Sequence, residues 1–255
     1  MVTACGTLAN RFRRGHLLFG VMAALVAHPL SAGPPFLTDD PEPTETGHWE
    51  IYAPLIEAEG QGSEIRGASA VEINYGAAKN LQLTLALPAA WAHDQQGWHG
   101  GTGDIEVAAK YRFINAETAG IQLAAFPGLT IPAAAEGLGA GRVTAFLPVW
   151  AQKDMGRWSV FGGAGYAINP GAGNHNFWTG GAAITRQIDD HLLLGLEVDR
   201  QGSDTIGGEG STSLGLGAIY RLKAPLRLLA SGGPTIADGT HLTGFHAFMA
   251  LGIDY

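Results

Sequence analysis

The chain has 255 residues, of which 46% are hydrophobic and 15% are charged, and its formal net charge is −8. Soluble domains carry about 25% charged residues, so the low charge fits a protein whose outer surface does not face water. The hydrophobic content excludes a disordered chain, and the 38 glycines follow no period of three, which excludes collagen.

The first 32 residues have the layout of a secretory signal peptide. An apolar run, residues 17–27, is followed by Pro29 and then by Ala32, the small residue expected before a cleavage site. The run is shorter than the roughly 20 residues that a membrane-spanning helix needs, so cleavage after Ala32 is favoured over an uncleaved anchor. The basic residues that precede the run are Arg11, Arg13 and Arg14.

Cleavage after Ala32 changes both the charge and the chemistry of the chain. It leaves 12 basic residues against 23 acidic ones. Nucleic acid is then excluded as a partner, because phosphate binding needs a basic patch. Cleavage also removes Cys5, the one cysteine of the chain, so disulfides and thiolate metal sites are excluded from the mature protein.

Residues 33–47 form a proline-rich, acidic segment on the predicted periplasmic side. Four prolines exclude a central strand here. This segment could fold up into a barrel, where its acids would meet inward arginines and close the pore, or it could be a loose lead-in; both interpretations stay open. The four acids are Asp39, Asp40, Glu42 and Glu45.

From residue 48 onward the sequence alternates with a period of two. In residues 103–113 every charged side chain falls on one side of the predicted strand, whereas a helix would scatter the charges around its circumference. Twelve such stretches have the length of about 9–13 residues that a tilted strand needs to cross an outer membrane. The least regular is 176–187, where Trp178 and Ile184 confuse the alternation. The stretches are 48–58, 64–75, 81–92, 103–113, 119–131, 142–152, 158–168, 176–187, 192–200, 211–222, 226–236 and 243–255.

The connections between these stretches alternate in length. Transmembrane barrels have short periplasmic turns and longer extracellular loops, and an even strand number places both termini in the periplasm. The sequence therefore predicts an all-β, antiparallel, up-and-down transmembrane barrel of about 12 strands over residues 48–255; a soluble sandwich or lipocalin-like carrier is the alternative. The short connections are 76–80, 114–118, 153–157, 188–191 and 223–225, and the others are 59–63, 93–102, 132–141, 169–175, 201–210 and 237–242.

Two further features indicate the outer membrane and its partners. Aromatic residues predicted to face outward fall near strand ends, where rings with an apolar body and a polar tip favour the membrane–water interface. The last strand ends in Tyr255 and carries apolar residues at every second position. That pattern resembles the signal that the barrel-assembly machinery recognises, so we expect outer-membrane lipid and this machinery as partners.

Two stretches carry a family resemblance. One opens with Gly33-Pro34-Pro35-Phe36-Leu37-Thr38-Asp39-Asp40-Pro41-Glu42-Pro43 and is followed by Gly47-His48-Trp49-Glu50; the other is Gly103-Asp104-Ile105-Glu106-Val107-Ala108-Ala109-Lys110-Tyr111-Arg112-Phe113. Both resemble the family described as the MetA-pathway of phenol degradation, a set of bacterial outer-membrane barrels. The resemblance implies a channel for small solutes such as phenol-like aromatic compounds, and it carries over no catalytic residue or cofactor.

Strand alternation also predicts which side chains line the lumen. It places as many acidic as basic side chains there, which could either line a water-filled passage or pair to fill it. Inward aromatic residues could favour flat apolar solutes or serve as packing. The lumen-lining candidates are Arg66, Glu72, Asp104, Glu106, Lys110, Arg112, Phe126, Arg142, Phe146, Trp150, Arg186, Glu197, Asp199, Arg221 and Arg227.

The functional prediction is a passive outer-membrane channel for small solutes. A structural barrel without a transport role is the first alternative, and an outer-membrane enzyme is the second. Ser211, Ser213 and His246 face inward, but no Gly-x-Ser-x-Gly elbow occurs, and no triad can be read from the spacing. No catalytic residue, metal site or cofactor is predicted.

Overall fold

The computed structural model describes residues 35–239 and 243–255, and the predicted signal peptide lies outside the described residues. Strands make up most of the described chain. No helix within it is long and apolar enough to cross a bilayer. The elements are β1 (Trp49–Gln61), β2 (Glu64–Ala78), β3 (Leu81–Asp94), β4 (Gly97–Thr102), β5 (Ile105–Ile114), α1 (Ala116–Ala119), β6 (Gln122–Ala125), β7 (Gly128–Ile131), β8 (Thr144–Met155), β9 (Trp158–Ile168), β10 (Phe177–Gln187), β11 (Leu192–Gln201), β12 (Ser211–Lys223), β13 (Leu226–Ala237) and β14 (Thr243–Asp254).

The strands form one closed antiparallel barrel. Strands that follow one another pair, except that β4 and β5 both lie beside β3, and β6 and β7 both lie between β5 and β8. Strand β1 pairs with both β2 and β14, which closes the sheet. Closure leaves no unpaired edge, as a sheet in lipid requires. The barrel has 12 transmembrane strands, because β4 with β5 and β6 with β7 are two strands that are each interrupted once. The predicted fold is confirmed.

The two interruptions have local causes. Between β6 and β7 stands Pro127, which has no N–H to donate to the sheet, and Phe126 turns its side chain into the barrel. Between β4 and β5 stand Gly103 and Asp104. The segment before them, predicted as a loop, is instead strand β4, which pairs with β3 alone and extends that hairpin beyond the barrel wall. Its glycines hide the alternation in the sequence.

A β-bulge in β1 changes which of its residues face the lumen. The register with both neighbouring strands shifts between Tyr52 and Leu55, at Ala53-Pro54. Before the bulge even-numbered residues face inward; after it odd-numbered residues do, beginning with the fully buried Leu55. The bulge therefore turns Glu57 and Glu59 toward the interior, where both line the lumen cavity.

The two ends of the barrel differ in their connections. The turns on the side of the termini are short, and one of them, 188–191, is closed by Asp189, which accepts hydrogen bonds from the backbone of His191 and Leu192. These bonds lower the pKa of Asp189. On the opposite side, β1–β2 and β3–β4 are joined by two-residue turns where longer loops were predicted, because these strands continue further than expected.

The outer surface of the barrel is an apolar band bordered by aromatic rings. Large aliphatic side chains such as Leu85, Leu196 and Leu216 are exposed at mid-strand, and Leu216 is 62% exposed. At the end of the barrel that holds the termini, the ring centroids of Trp49 and Tyr75 lie 4.4 Å apart. At the other end, the ring centroids of Tyr166 and Trp178 lie 5.1 Å apart. Such a band between two aromatic girdles is the lipid-facing surface of an outer-membrane barrel.

We expect the cost of an outward charge to depend on its depth in the membrane. Leu216→Arg lies at the middle of β12 and should lower the free energy of unfolding by about 2–4 kcal/mol, whereas Leu222→Arg, near the end of the same strand, should cost about 0–1 kcal/mol. Guanidinium unfolding in lipid vesicles measures both values. Equal losses of unfolding free energy at the two positions would contradict the assignment of the apolar band to the lipid-facing surface.

Candidate functional site in the barrel lumen

Residues 35–47, here called the N-terminal segment, lie inside the barrel. The segment is tied to the periplasmic rim, where Gly47 donates its N–H to the carbonyl of Gly76 at 2.7 Å. From there it runs inward to Phe36, which is 3% exposed. The segment therefore crosses the periplasmic half of the lumen and ends, at its first described residues, near the middle.

Wall side chains hold the backbone of this segment. Glu197 on β11 accepts hydrogen bonds from the N–H groups of Leu37 and Thr38, both at 3.1 Å. On the opposite wall Gln82 accepts one from the N–H of Thr44 at 2.8 Å. These contacts satisfy donors that have no strand to pair with.

Ion pairs connect the acids of the segment to basic residues of β5. Lys110, which is fully buried, places its Nζ 3.1 Å from Asp39 Oδ1 and 3.8 Å from Asp40 Oδ1. One level closer to the rim, Arg112 lies 4.0 Å from Glu42. A buried ammonium needs such a partner, so the segment and β5 depend on each other for charge compensation.

Glycines in the wall leave the space that the segment occupies. A Cβ added at Gly217 would lie 2.4 Å from the ring of Phe36, and one at Gly195 would lie 2.5 Å from it. A Cβ at Gly181 would lie 2.3 Å from the hydroxyl of Thr38. Part of the high glycine content is thus explained by a close approach that larger residues would prevent.

Beyond the N-terminal segment, the extracellular half of the lumen is a cavity of about 270 Å³. One wall is aromatic: Phe126 and Trp150 are buried against each other, and Ala108 and Phe146 pack on them. On the extracellular side, Leu138 from the loop after β7 completes the lining. The cavity is therefore apolar on one side and bounded by the segment below.

Asp104 holds that loop in place. Its carboxylate accepts hydrogen bonds from the N–H groups of Ala133, Ala134 and Ala140, at 2.7–3.0 Å. Asp104 is 2% exposed, so it acts here as a structural anchor as well as part of the lining.

The predicted lumen residues lie around the cavity, in the periplasmic half and at the two rims of the barrel. Those that line the cavity are Arg66, Asp104, Glu106, Phe126, Phe146, Trp150 and Asp199. Those in the periplasmic half, at the level of the N-terminal segment, are Glu72, Lys110, Arg112, Glu197 and Arg227. Arg142 and Arg221 are exposed and lie at the two rims. Arg66 is paired with Glu59, and Arg227 with Glu50.

Arg186 was predicted to face the lumen and does not. In β10 the buried positions are Ala183 and Thr185, so Arg186 lies on the outer face. Its guanidinium stacks over the ring of Trp158, 5.1 Å from the centroid. A long arginine near the end of a strand can keep its charge at the interface, which explains why the outward position is tolerated.

Several lumen residues were missed by the sequence analysis. Glu57 and Glu59 were missed because the bulge at Pro54 inverts the alternation of β1; a proline inside a strand pattern was the available signal. A buried polar network was missed as well. In it the side chain of Gln82 donates to Asn74 at 2.9 Å, and Thr84 donates to the same oxygen at 2.6 Å.

The inward hydroxyls and His246 form a chain of contacts. Ser213 and Thr235 share a hydrogen bond of 2.8 Å between their hydroxyls, and Thr235 lies 3.3 Å from Nδ1 of His246. The other ring nitrogen is 4.0 Å from Glu197, beyond hydrogen-bonding distance. The carboxylate therefore does not orient the imidazole as it would in a catalytic triad.

Among the described residues, no three His, Cys, Asp or Glu side chains are grouped to hold a metal ion. Of the extracellular histidines, His99 lies 3.2 Å from Asp94, and His93 stacks on Trp98. Both interactions suit a surface hairpin.

No protein-family model and no curated protein matches the chain. Among solved structures, the fold is similar to that of the COG4313 outer membrane channel from Pseudomonas putida F1, with a TM-score of 0.68 and 15% identity over 85% of this chain and 98% of that one. It is also similar to the NanC porin, with a TM-score of 0.57 and 8% identity over 80% and 98% of the two chains. The fold is that of an outer-membrane β-barrel. This confirms, at the level of fold, the resemblance drawn from the two sequence stretches.

We expect Lys110→Met to release the N-terminal segment, because Asp39 would lose its ammonium partner in a buried site. A cysteine introduced by Thr38→Cys should then react with a water-soluble maleimide at least about tenfold faster in the Lys110→Met protein than in the protein that keeps Lys110. A tenfold change corresponds to a loss of about 1.4 kcal/mol of the free energy that holds the segment in place. Lys79→Met, in an exposed periplasmic turn, is the matched control. Equal labelling rates in all three proteins would show that the ion pair does not hold the segment.

Gly217→Leu should displace the segment by steric conflict with Phe36. Hydrogen–deuterium exchange of the backbone over residues 35–47 should accelerate, while exchange in the barrel strands stays slow. Ala218→Leu, on the outer face of the same strand, adds three carbons toward lipid, against four in Gly217→Leu, and should leave this exchange unchanged. Protection of residues 35–47 in Gly217→Leu would contradict the proposed close fit.

Proposed function

We propose that the protein is a passive outer-membrane channel for small solutes, with small aromatic, phenol-like compounds as its preferred class. The observation that carries the proposal is the cavity in the lumen, which has an aromatic wall and is blocked from below by a segment that is not part of the barrel wall. A barrel built only as a scaffold has no need of such a cavity.

The aromatic wall supports the choice of solute. Phe126, Phe146 and Trp150 present rings to the cavity, and flat apolar molecules gain from stacking on rings and from leaving water. Ligand pockets typically combine such apolar walls with a few polar groups, here supplied by Thr84, Thr130 and their neighbours. Solutes without an apolar face would not use this wall.

We further propose that residues 33–47 act as a plug. The described part of this range is held by ion pairs and hydrogen bonds on several strands, all of which are reversible. The channel is then closed at rest and opens when the segment leaves. A permanently closed barrel without transport is the second candidate, and the same contacts favour it if they never release.

The remaining roles follow from the position of the barrel. Cleavage after Ala32 would free the segment for insertion into the lumen, and the outward apolar residues of β14 that end at Tyr255 would present the assembly signal. We propose no enzymatic activity, because the hydroxyl of Thr235 stands between Ser213 and His246.

Removal of residues 34–46 is the direct test of the channel and the plug. In planar bilayers the shortened protein should conduct ions well above the intact protein, and liposomes that contain it should swell faster in arabinose. A heat-modifiable band on gels shows that both proteins are folded barrels. Equal conductance of the two would contradict the plug, and no conductance in either would favour the structural barrel.

A further inference from the structure

The barrel wall is interrupted beside the aromatic wall of the cavity. Residues 126–127 separate β6 from β7, and both of these short strands lie between β5 and β8. Ala125, before this break, faces Val149 of β8. Gly128, after the break, faces Phe146, so the register with β8 is the same on both sides. The chain therefore stays in the sheet across the break, and the break affects only its hydrogen bonds.

Two prolines remove hydrogen bonds from the wall at this break. In an antiparallel sheet, the residues of a hydrogen-bonded pair exchange two N–H···O=C bonds. Ala109 donates to the carbonyl of Pro127 at 3.1 Å, but Pro127 has no N–H with which to return the bond. In the same way Phe126 donates to the carbonyl of Pro148 at 3.2 Å, and Pro148 has no N–H to return. The strand is therefore held by one bond on each side where a regular pair would form two.

The side chains at the break are small on both faces of the wall. On the lumen side Ala108 of β5 faces Gly128 of β7. A Cβ added at Gly128 would lie 3.3 Å from the Cβ of Ala108, so this pair presents little more than backbone to the cavity. On the lipid side stand Ala109 and Pro127. No long side chain of these four residues covers the weakened part of the wall.

A second cavity, here called the outer notch, lies on the lipid side of the break. Leu129 and Leu147, two exposed residues of the apolar band, belong to its lining. Ala108 and Gly128 line both the outer notch and the lumen cavity, as do their neighbours Val107 and Leu129. The two cavities therefore meet at the same two residue pairs of β5 and β7.

Building on the proposed channel function, we propose that this break is a side passage through which uncharged, phenol-like solutes move between the lumen cavity and the hydrocarbon core of the outer membrane. A solute that stacks on Phe126 or Phe146 already lies beside the break. An apolar solute gains free energy when it enters hydrocarbon, whereas a sugar or an ion would lose its hydration there. Local opening of the wall costs least where the fewest hydrogen bonds must break.

The side passage lies above the N-terminal segment. In β5, Ala108 stands on the extracellular side of Lys110, whose ion pair with Asp39 holds the segment. An apolar solute can therefore leave the cavity sideways while the segment stays in place. A water-soluble solute has no such route and must wait until the segment leaves. The segment and the passage together sort solutes by polarity.

Thiol labelling of the mature chain in liposomes tests the side passage. Ser231→Cys places a thiol in the cavity on β13, opposite the break, and the one natural cysteine, Cys5, is absent from the mature chain. N-phenylmaleimide is uncharged and dissolves in the bilayer, whereas a sulfonated maleimide stays in water. Ala109→Leu fills the outer notch from the lipid side. It should slow labelling by N-phenylmaleimide several-fold and leave labelling by the sulfonated reagent unchanged.

Matched variants assign the effect to the break. Ala218→Leu makes the same substitution on the outer face of β12 and should change neither rate. Pro127→Ala returns an N–H to the wall and should also slow N-phenylmaleimide, so it serves if Ala109→Leu gives no heat-modifiable band. Equal N-phenylmaleimide rates with and without Ala109→Leu and Pro127→Ala would overturn the proposal. So would a Ser231→Cys protein that does not react with N-phenylmaleimide at all.

Removal of residues 34–46 separates this inference from the channel function. The shortened protein should take up arabinose faster, and Ala109→Leu should still slow its labelling by N-phenylmaleimide. A gain of conductance on removal without any effect of Ala109→Leu would keep the channel and overturn the side passage. An effect of Ala109→Leu in a protein that never conducts, even without residues 34–46, would support the side passage and contradict the channel.

Discussion

A closed sheet of 12 strands encloses more space than its own side chains fill, and the rest of the structure follows from that constraint. Eight-stranded barrels are filled by inward side chains, whereas sixteen-stranded porins hold open water. Here the N-terminal segment occupies the periplasmic half of the lumen, and wall glycines such as Gly217 make room for it. The extracellular half stays a cavity. The lumen is therefore filled in its periplasmic half and open in its extracellular half.

The electrostatics of the lumen follow the same division. Lys110 is buried where the segment supplies carboxylates, so its desolvation is offset by an ion pair and by the ring of Phe126. Another group of acidic side chains lies above this level and lines the cavity: Glu57, Glu59, Asp104, Glu106 and Asp199. Ion pairs and side-chain hydrogen bonds thus hold the segment, whereas the backbone hydrogen bonds of the closed sheet hold the wall.

Alternation along the strands predicted the barrel and its strand number, because residues that face the hydrocarbon core of the membrane must be apolar. The same alternation failed where the backbone breaks its period. Pro54 shifts β1 by one residue, which brings Glu57 inward, and Pro127 splits one strand in two. Arg186 was misplaced because a girdle ring, Trp158, can stabilise a charge outside the barrel. The sequence left open whether the N-terminal segment enters the barrel or is a loose lead-in, because its path depends on contacts with distant strands.

Those distant contacts also bear on how the protein is assembled. Leu37 binds Glu197 across 160 positions of sequence, and Glu197 reaches its final place only when the later strands have joined the sheet. The first described residues of the chain are therefore among the last to acquire their partners. Their docking therefore comes late in assembly, after β11 has joined the sheet and brought Glu197 to the lumen.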